Sequence, residues 1–217
     1  MEGSCVQRAR AKYRPEAARK VGAARRGERG FSLTELVVAM AIALILMGIS
    51  TPYFLRAYRN YQLSNAARQV ADILRLTRYE AIRRNKPVNC VIQVSGSDPT
   101  QTNAWSDGNN DGVEDPTETQ ILLGSGGNLV DSGGVPGIAN LLSAANLGGL
   151  GMYKPSPTGS TITFDQRGAV TSTTKVTFFY LGSSLAPDAG YRAVILMPNG
   201  ALQIWTADVN GSWGQLR

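Results

Sequence analysis

The chain has 217 residues, 43% of them hydrophobic and none of them His, with 22 basic and 16 acidic side chains and a formal charge of +6. That length sustains one domain with a sizeable core plus an appendage, and the lack of His excludes His-based triads and His metal ligands. The charge is segregated: residues 1–30 hold nine basic and three acidic side chains, residues 53–86 eight and two, and residues 87–217 five and ten. A pI near 9.5 therefore describes the first two segments, and the acidic remainder disfavours nucleic acid as a partner.

Residues 36–55, LVVAMAIALILMGISTPYFL, run for 20 positions without a charge. As a helix they span about 30 Å, the thickness of a bilayer core. The basic stretch before them predicts a cytoplasmic N-terminus and export of the rest. A cleaved secretory signal needs a small-residue site after the apolar run, and Ser50-Thr51-Pro52-Tyr53 has no Ala-x-Ala. A twin-arginine signal is equally poor, since Arg25-Arg26 is followed by Gly-Glu. The front edge of the run instead reads RGFSLTEL, from Arg29 to Leu36. Glu35 there lies about 6 Å into an apolar helix, where a carboxylate either stays at the headgroup boundary or meets a cation.

That octet resembles the type IV prepilin signal. The resemblance implies that a membrane prepilin peptidase cuts after Gly30, that Phe31 becomes the N-methylated first residue, and that Glu35 serves assembly. Cleavage gives each subunit a free amine at Phe31, which the Glu35 of a neighbouring subunit neutralises in a packed helix bundle. The expected division is a leader over residues 1–30, a transmembrane helix over 31–57 and a head over 58–217.

Beyond the apolar run, Leu63, Ala66, Ala67, Val70, Leu74, Thr77 and Ala81 recur at helical spacing, with Arg59, Arg68, Asp72 and Arg75 on other faces. The helix is thus predicted to continue over 58–84, kinked at Pro52 and ended by Asn85-Lys86-Pro87. Alternation predicts a strand at 88–94, with Cys90 as a small buried side chain on it. Residues 95–118 read as a polar loop, 121–123 as a short strand, and 124–159, with ten glycines, as an extended loop carrying a short helix near 138–145. Strands follow at 161–165, 176–181, 191–197 and 201–206, separated by Gln166-Arg167-Gly168, Pro187-Asp188 and Pro198-Asn199-Gly200. The fold class is α+β: a long N-terminal helix and then an antiparallel sheet over 88–217, interrupted by a long loop at 95–160.

The stretch SNAARQVADILRLTRYEAIRRNKPVNCVIQV, with the later ITFDQRGAV and YRAVILMPNGALQIW, is similar to minor pseudopilins of the general secretion pathway H class and to FimT-like minor pilins. The resemblance implies a pilin-like fold and a structural, non-enzymatic role. The chain would be a subunit of a type II secretion pseudopilus or a type IV pilus, aiding fibre assembly and protein export. Its partners would be other pilins and exported cargo. It would sit in the bacterial inner membrane as a single-pass protein with a periplasmic head. The alternative within the same family is a DNA-binding minor pilin for natural transformation. That alternative calls for cations near the C-terminus, and the tail ADVNGSWGQLR offers only Arg217.

One further motif carries chemistry. Residues 107–118 fit D-x-[DN]-x-[DN]-G-x5-E, so calcium ligands would be Asp107, Asn109, Asp111, the Val113 carbonyl, Asp115 through water and Glu118. No helix is read before Asp107, so a run of tight Asx turns explains the same residues. No cofactor is required by the reading. Neither a Ser-x-x-Lys pair, a nucleophile elbow nor a phosphate-binding glycine loop is found.

Overall fold

The computed structural model describes residues 31–94, 101–124, 126–147, 149–156 and 158–216. The chain falls into two units, Met1–Ile45 and Leu46–Arg217. One helix, α1 (Leu33–Arg84), runs for 52 residues with Pro52 inside it. The Ser50 and Thr51 hydroxyls donate to the carbonyls of Leu46 and Met47, at 2.9 and 2.7 Å, in the turn that Pro52 deprives of an N–H. Every residue from 31 to 58 is exposed. The helix ends as its sequence requires. Asn85 adopts φ 51°, its N–H bonds the Ile82 carbonyl, and Lys86 N–H reaches back to the Ala81 carbonyl at 3.3 Å before Pro87 forbids a further turn.

The strands are β1 (Val88–Val94), β2 (Thr102–Asp107), β3 (Gln120–Leu123), β4 (Asn128–Leu129), β5 (Met152–Tyr153), β6 (Gly159–Phe164), β7 (Val176–Gly182), β8 (Tyr191–Leu196), β9 (Leu202–Ala207) and β10 (Trp213–Gln215). They form two sheets. The first has the order β3-β2-β1-β6 and is antiparallel throughout. The second has the order β10-β9-β8-β7-β4, with β5 pairing β7 in parallel. The α+β expectation holds, with the sheet split in two and one parallel pair added. A short helix, α2 (Ile138–Ala144), lies where the sequence places it.

The predicted loop at 95–118 is corrected: β2 occupies part of it, between β1 and β3. Its register sets Thr102, Ala104 and Ser106 opposite Val94, Ile92 and Cys90. Those three buried side chains are small and two are polar, so the strand shows no apolar alternation in sequence. The strands β4, β5 and β10, of two or three residues, likewise interrupt stretches read as loop or tail.

The main core lies between α1 and one face of each sheet. Leu63, Ala67, Val70 and Leu74 of α1 belong to one cluster with Ile92, Phe164, Phe179, Leu181 and Val194, and all are at most 1% exposed. Glycine permits one close approach there: a Cβ on Gly127 would lie 2.8 Å from the Ala66 Cβ. A second cluster covers the opposite face of the second sheet. Phe178, Tyr180, Ile195 and Trp205 pack there with Val135, Leu141 and Leu147 of the glycine-rich segment. Successive residues of β7 thus enter opposite cores, and all seven are buried. Truncating one such side chain, Phe179 for example, costs about 3–5 kcal/mol.

Candidate functional site

The N-terminal region presents an unfilled apolar surface. Phe31 and Leu33 are 80% exposed and Leu44 69%. An 18-residue window of α1 has mean hydropathy 2.3 and none of it is buried. By length and composition this segment can cross a membrane, and an apolar helix face of that extent needs lipid or other helices around it. Glu35 lies in the first turn of α1 and is exposed. A carboxylate there is favoured by the unpaired N–H groups at the helix start. Among the described residues it enters no ion pair, so its charge remains available to another chain. Gly30, with the rest of residues 1–30, lies outside the described residues.

The acidic loop is held from within. Asp107 is fully buried and accepts the N–H groups of Asn110 and Gly112, at 2.5 and 2.9 Å. The positive φ of both donors brings their amides inward, at 63° for Asn110 and 76° for Gly112. Glu118 accepts Gly108 N–H at 2.8 Å and Asp115 N–H at 3.3 Å. The Asn109 side-chain oxygen Oδ1 accepts Asp111 N–H, and the Asp111 carboxylate accepts Val113 N–H at 2.8 Å. The Asn109 amide nitrogen stands between two carboxylates, donating to Asp111 at 2.9 Å and to Asp115 at 3.1 Å. Among the described residues no three Asp, Glu, Cys or His side chains converge as a metal-holding group. Asx turns therefore account for the loop as it stands.

Sequence reasoning missed the residues that seat this loop. Arg84, in the last turn of α1, donates to the Gly108 carbonyl at 3.0 Å and pairs with Glu80 one turn earlier. Glu80 in turn accepts the Ser106 hydroxyl at 2.8 Å. Asn110 bridges to the start of β1, accepting Asn89 N–H and donating to the Pro87 carbonyl, both at 3.0 Å. The i, i+4 spacing of Glu80 and Arg84 was visible, but it reads as an ordinary surface pair. Farther along, Arg192 of β8 is 6% exposed, and among the described residues it enters no ion pair. Its guanidinium donates to Ser64 Oγ at 3.1 Å, Asn60 Oδ1 at 3.3 Å and the Tyr191 carbonyl at 2.9 Å, tying α1 to the second sheet. Burial pulls its pKa down. Burial also pushes the Cys90 thiol up to about 12, against a smaller opposing hydrogen bond with Thr77. Cys90 is accordingly a packing residue, as expected from its strand.

Comparison with known proteins converges on these features. The prokaryotic N-terminal methylation motif matches residues 25–51, the stretch that contains Gly30, Phe31 and Glu35. No curated protein and no solved structure matches the chain. The DNA-receptor alternative finds no support in these matches. A second family model, type II transport protein GspH, matches residues 66–200, from the buried face of α1 through β8. With more than half of its length covered by that model and a methylation motif before it, the chain belongs to the GspH family, whose members are pseudopilin subunits of type II secretion or type IV pili.

Proposed function

We propose that the protein is a minor pseudopilin that aids assembly of the fibre and export of protein cargo. It is anchored in the bacterial inner membrane by α1 with its head in the periplasm. The observation that carries this reading is the juxtaposition of an exposed apolar helix, a single carboxylate at Glu35 and a methylation motif across them. A prepilin peptidase cuts after Gly30, the new amine at Phe31 is methylated, and the Glu35 of one subunit neutralises the amine of its neighbour. Without that pairing, each charge entering an apolar helix bundle costs a few kcal/mol, roughly 2.5–3.5 at a helix centre. Intact-mass analysis of membrane-extracted protein should show loss of residues 1–30 and gain of one methyl. Glu35→Ala should leave the anchor in the membrane and reduce incorporation into fibres. A mature N-terminus near Thr51, or fibre entry undiminished in the variant, overturns the reading.

Calcium is proposed as an occupant of the 107–118 loop on its donor chemistry: five carboxylates and two amides within twelve residues. Binding requires the Asn109 amide to turn its oxygen toward Asp111 and Asp115 in place of its nitrogen. The cation would then take the place of the amide N–H groups that now bridge the two carboxylates. At a hundredfold excess over Kd, calcium would stabilise the head by about 2.7 kcal/mol. The melting temperature should rise in calcium over chelator, less so in magnesium, and Asp111→Ala should abolish the difference. Equal melting in calcium and chelator leaves the loop as a set of turns.

A further inference from the structure

Two turns of the second sheet lie beside the start of the head. Arg192, near the beginning of β8, donates to Asn60 and Ser64, whereas the Gly200 carbonyl, beyond the end of β8, accepts Arg78 at 3.1 Å. The strand β8 therefore runs along α1 toward the C-terminal end of the helix. Its neighbours β7 and β9 are antiparallel to it. The β7–β8 connection and the β9–β10 turn thus share the end that faces the N-terminal part of α1. Gly190 joins them: at φ 73°, a Cβ there would meet the Ala207 carbonyl oxygen at 2.1 Å.

This end comes level with the point where the uncharged run stops. Asp188, in the β7–β8 connection, pairs at 3.6 Å with Arg56, the residue that follows Leu55. Around Arg56 the helix exposes Tyr53, Tyr58 and Tyr61, each by more than half. Tyrosines and arginines at the end of an apolar helix mark the boundary between bilayer and water. Each of the two turns puts forward one large apolar side chain: Leu185, 60% exposed beside the buried Ala186, and Val209, 48% exposed. The carboxylates next to them are satisfied from within the chain. Asp188 has Arg56, and Asp208 accepts the N–H groups of Asn210 and Ser212 at 3.0 and 2.8 Å. Apolar tips beside satisfied carboxylates can enter a headgroup layer without stranding a bare charge.

We propose that the head of the unassembled subunit rests on the bilayer surface, with Leu185 and Val209 inserted among phospholipid headgroups. The inference rests on α1 being the membrane anchor. The uncharged run ends within one side chain's reach of the β7–β8 connection, so the anchor itself delivers the two tips to lipid at a high effective concentration. Contact at the helix and at two turns fixes which side of the head faces the membrane. Entry into a fibre then requires both tips to be withdrawn from lipid.

The test uses the full chain with Cys5→Ser, reconstituted in phosphatidylcholine vesicles; Cys90 is buried and does not take up label. An environment-sensitive fluorophore is attached in turn at Leu185→Cys, Val209→Cys, Leu55→Cys and Leu150→Cys. Leu150 is the control: it is 52% exposed and lies by the start of β7, one strand length or about 20 Å from the Leu185 end. Lipid carrying a nitroxide at a shallow acyl position should quench the probes at Leu55, Leu185 and Val209 and spare the one at Leu150. Quenching depth should place the two tips within about 5–10 Å of the headgroup boundary. With the probe at Ser184→Cys, which is exposed beside Leu185, Leu185→Asp with Val209→Asp should abolish the quenching. Quenching at Leu55 alone overturns the seat and leaves the anchor intact, whereas no quenching at Leu55 overturns the anchor. Equal quenching at Leu150, or at Ser184 despite the double substitution, also overturns the seat. Blue-shifted emission at Leu185 without quenching means that protein covers the tip, and overturns lipid as its occupant.

Discussion

Replacing Arg84 by Met removes the guanidinium that joins the end of α1 to the acidic loop. A hydrogen bond from a charged donor is worth about 1.5–3 kcal/mol when buried. Arg84 is 37% exposed, so screening reduces its bond to the Gly108 carbonyl to about 1–1.5 kcal/mol. Glu80, 15% exposed, retains the Ser106 hydroxyl at 2.8 Å and Arg83 at 3.6 Å, and is not stranded. Its loss adds about 0.5 kcal/mol. The total, about 1.5–2 kcal/mol, corresponds to a fall of about 4–6 °C in Tm for a head of this size. Arg83→Met is the matched control: Arg83 is 76% exposed, and its removal should stay within about 0.5 kcal/mol. Thermal melting of the detergent-extracted protein measures both, and hydrogen exchange localises the effect. Amides of 108–118 should exchange faster in Arg84→Met while those of 66–81 do not. If the two variants melt alike, or the loop amides exchange as in the parent, the assignment of Arg84 as the loop's anchor is wrong.

Cys90 predicts an alkaline weakness. Its folded pKa is raised to about 12, against about 8.5 in the unfolded chain. Its stabilising contribution is therefore whole below about pH 8.5 and lost progressively as pH rises toward 12. Denaturation midpoints should fall over that window, and Cys90→Ala should flatten the slope; an unchanged slope refutes the assignment. Gly127→Val should overpack the helix–sheet contact by about 1–3 kcal/mol, since its Cβ would meet the Ala66 Cβ at 2.8 Å and Leu63 Cδ1 at 3.1 Å. Gly124→Ala, where nothing lies within 4 Å, should leave the denaturation midpoint unchanged.

The helix and the long strands were legible because their side chains obey one period over many residues. From Leu63 to Ala81 the buried set repeats at three and four, and on β1 Val88, Cys90 and Ile92 alternate. The strand β7 was legible for another reason: VTFFYL is a nearly continuous apolar run broken only by Thr177, which matches a strand buried on both faces. The strand β2 was hidden because Thr102, Ala104 and Ser106, its core-facing residues, carry little apolar surface. The candidate loop was legible as composition but not as geometry. The spacing of its acids matched an ion site, whereas the partners that satisfy them are backbone N–H groups whose direction depends on φ at Asn110 and Gly112. Arg192 was invisible, because its acceptors, Asn60 and Ser64, stand more than 120 positions away.

The seating of α1 has a mechanical consequence. A fibre that is pushed or pulled loads each subunit along its helix. From Leu63 to Ala81 that helix meets two sheets through side chains spread along its axis rather than gathered at one end. An axial force therefore acts on them in shear: Leu63, Val70, Leu74 and Ala81 must slip together, with Arg192 and Arg78 tethering the helix to β8 and to the turn at Gly200. A force applied across the axis would peel the same contacts one after another, each yielding alone. The head is thus expected to withstand thrust along the fibre better than it withstands bending.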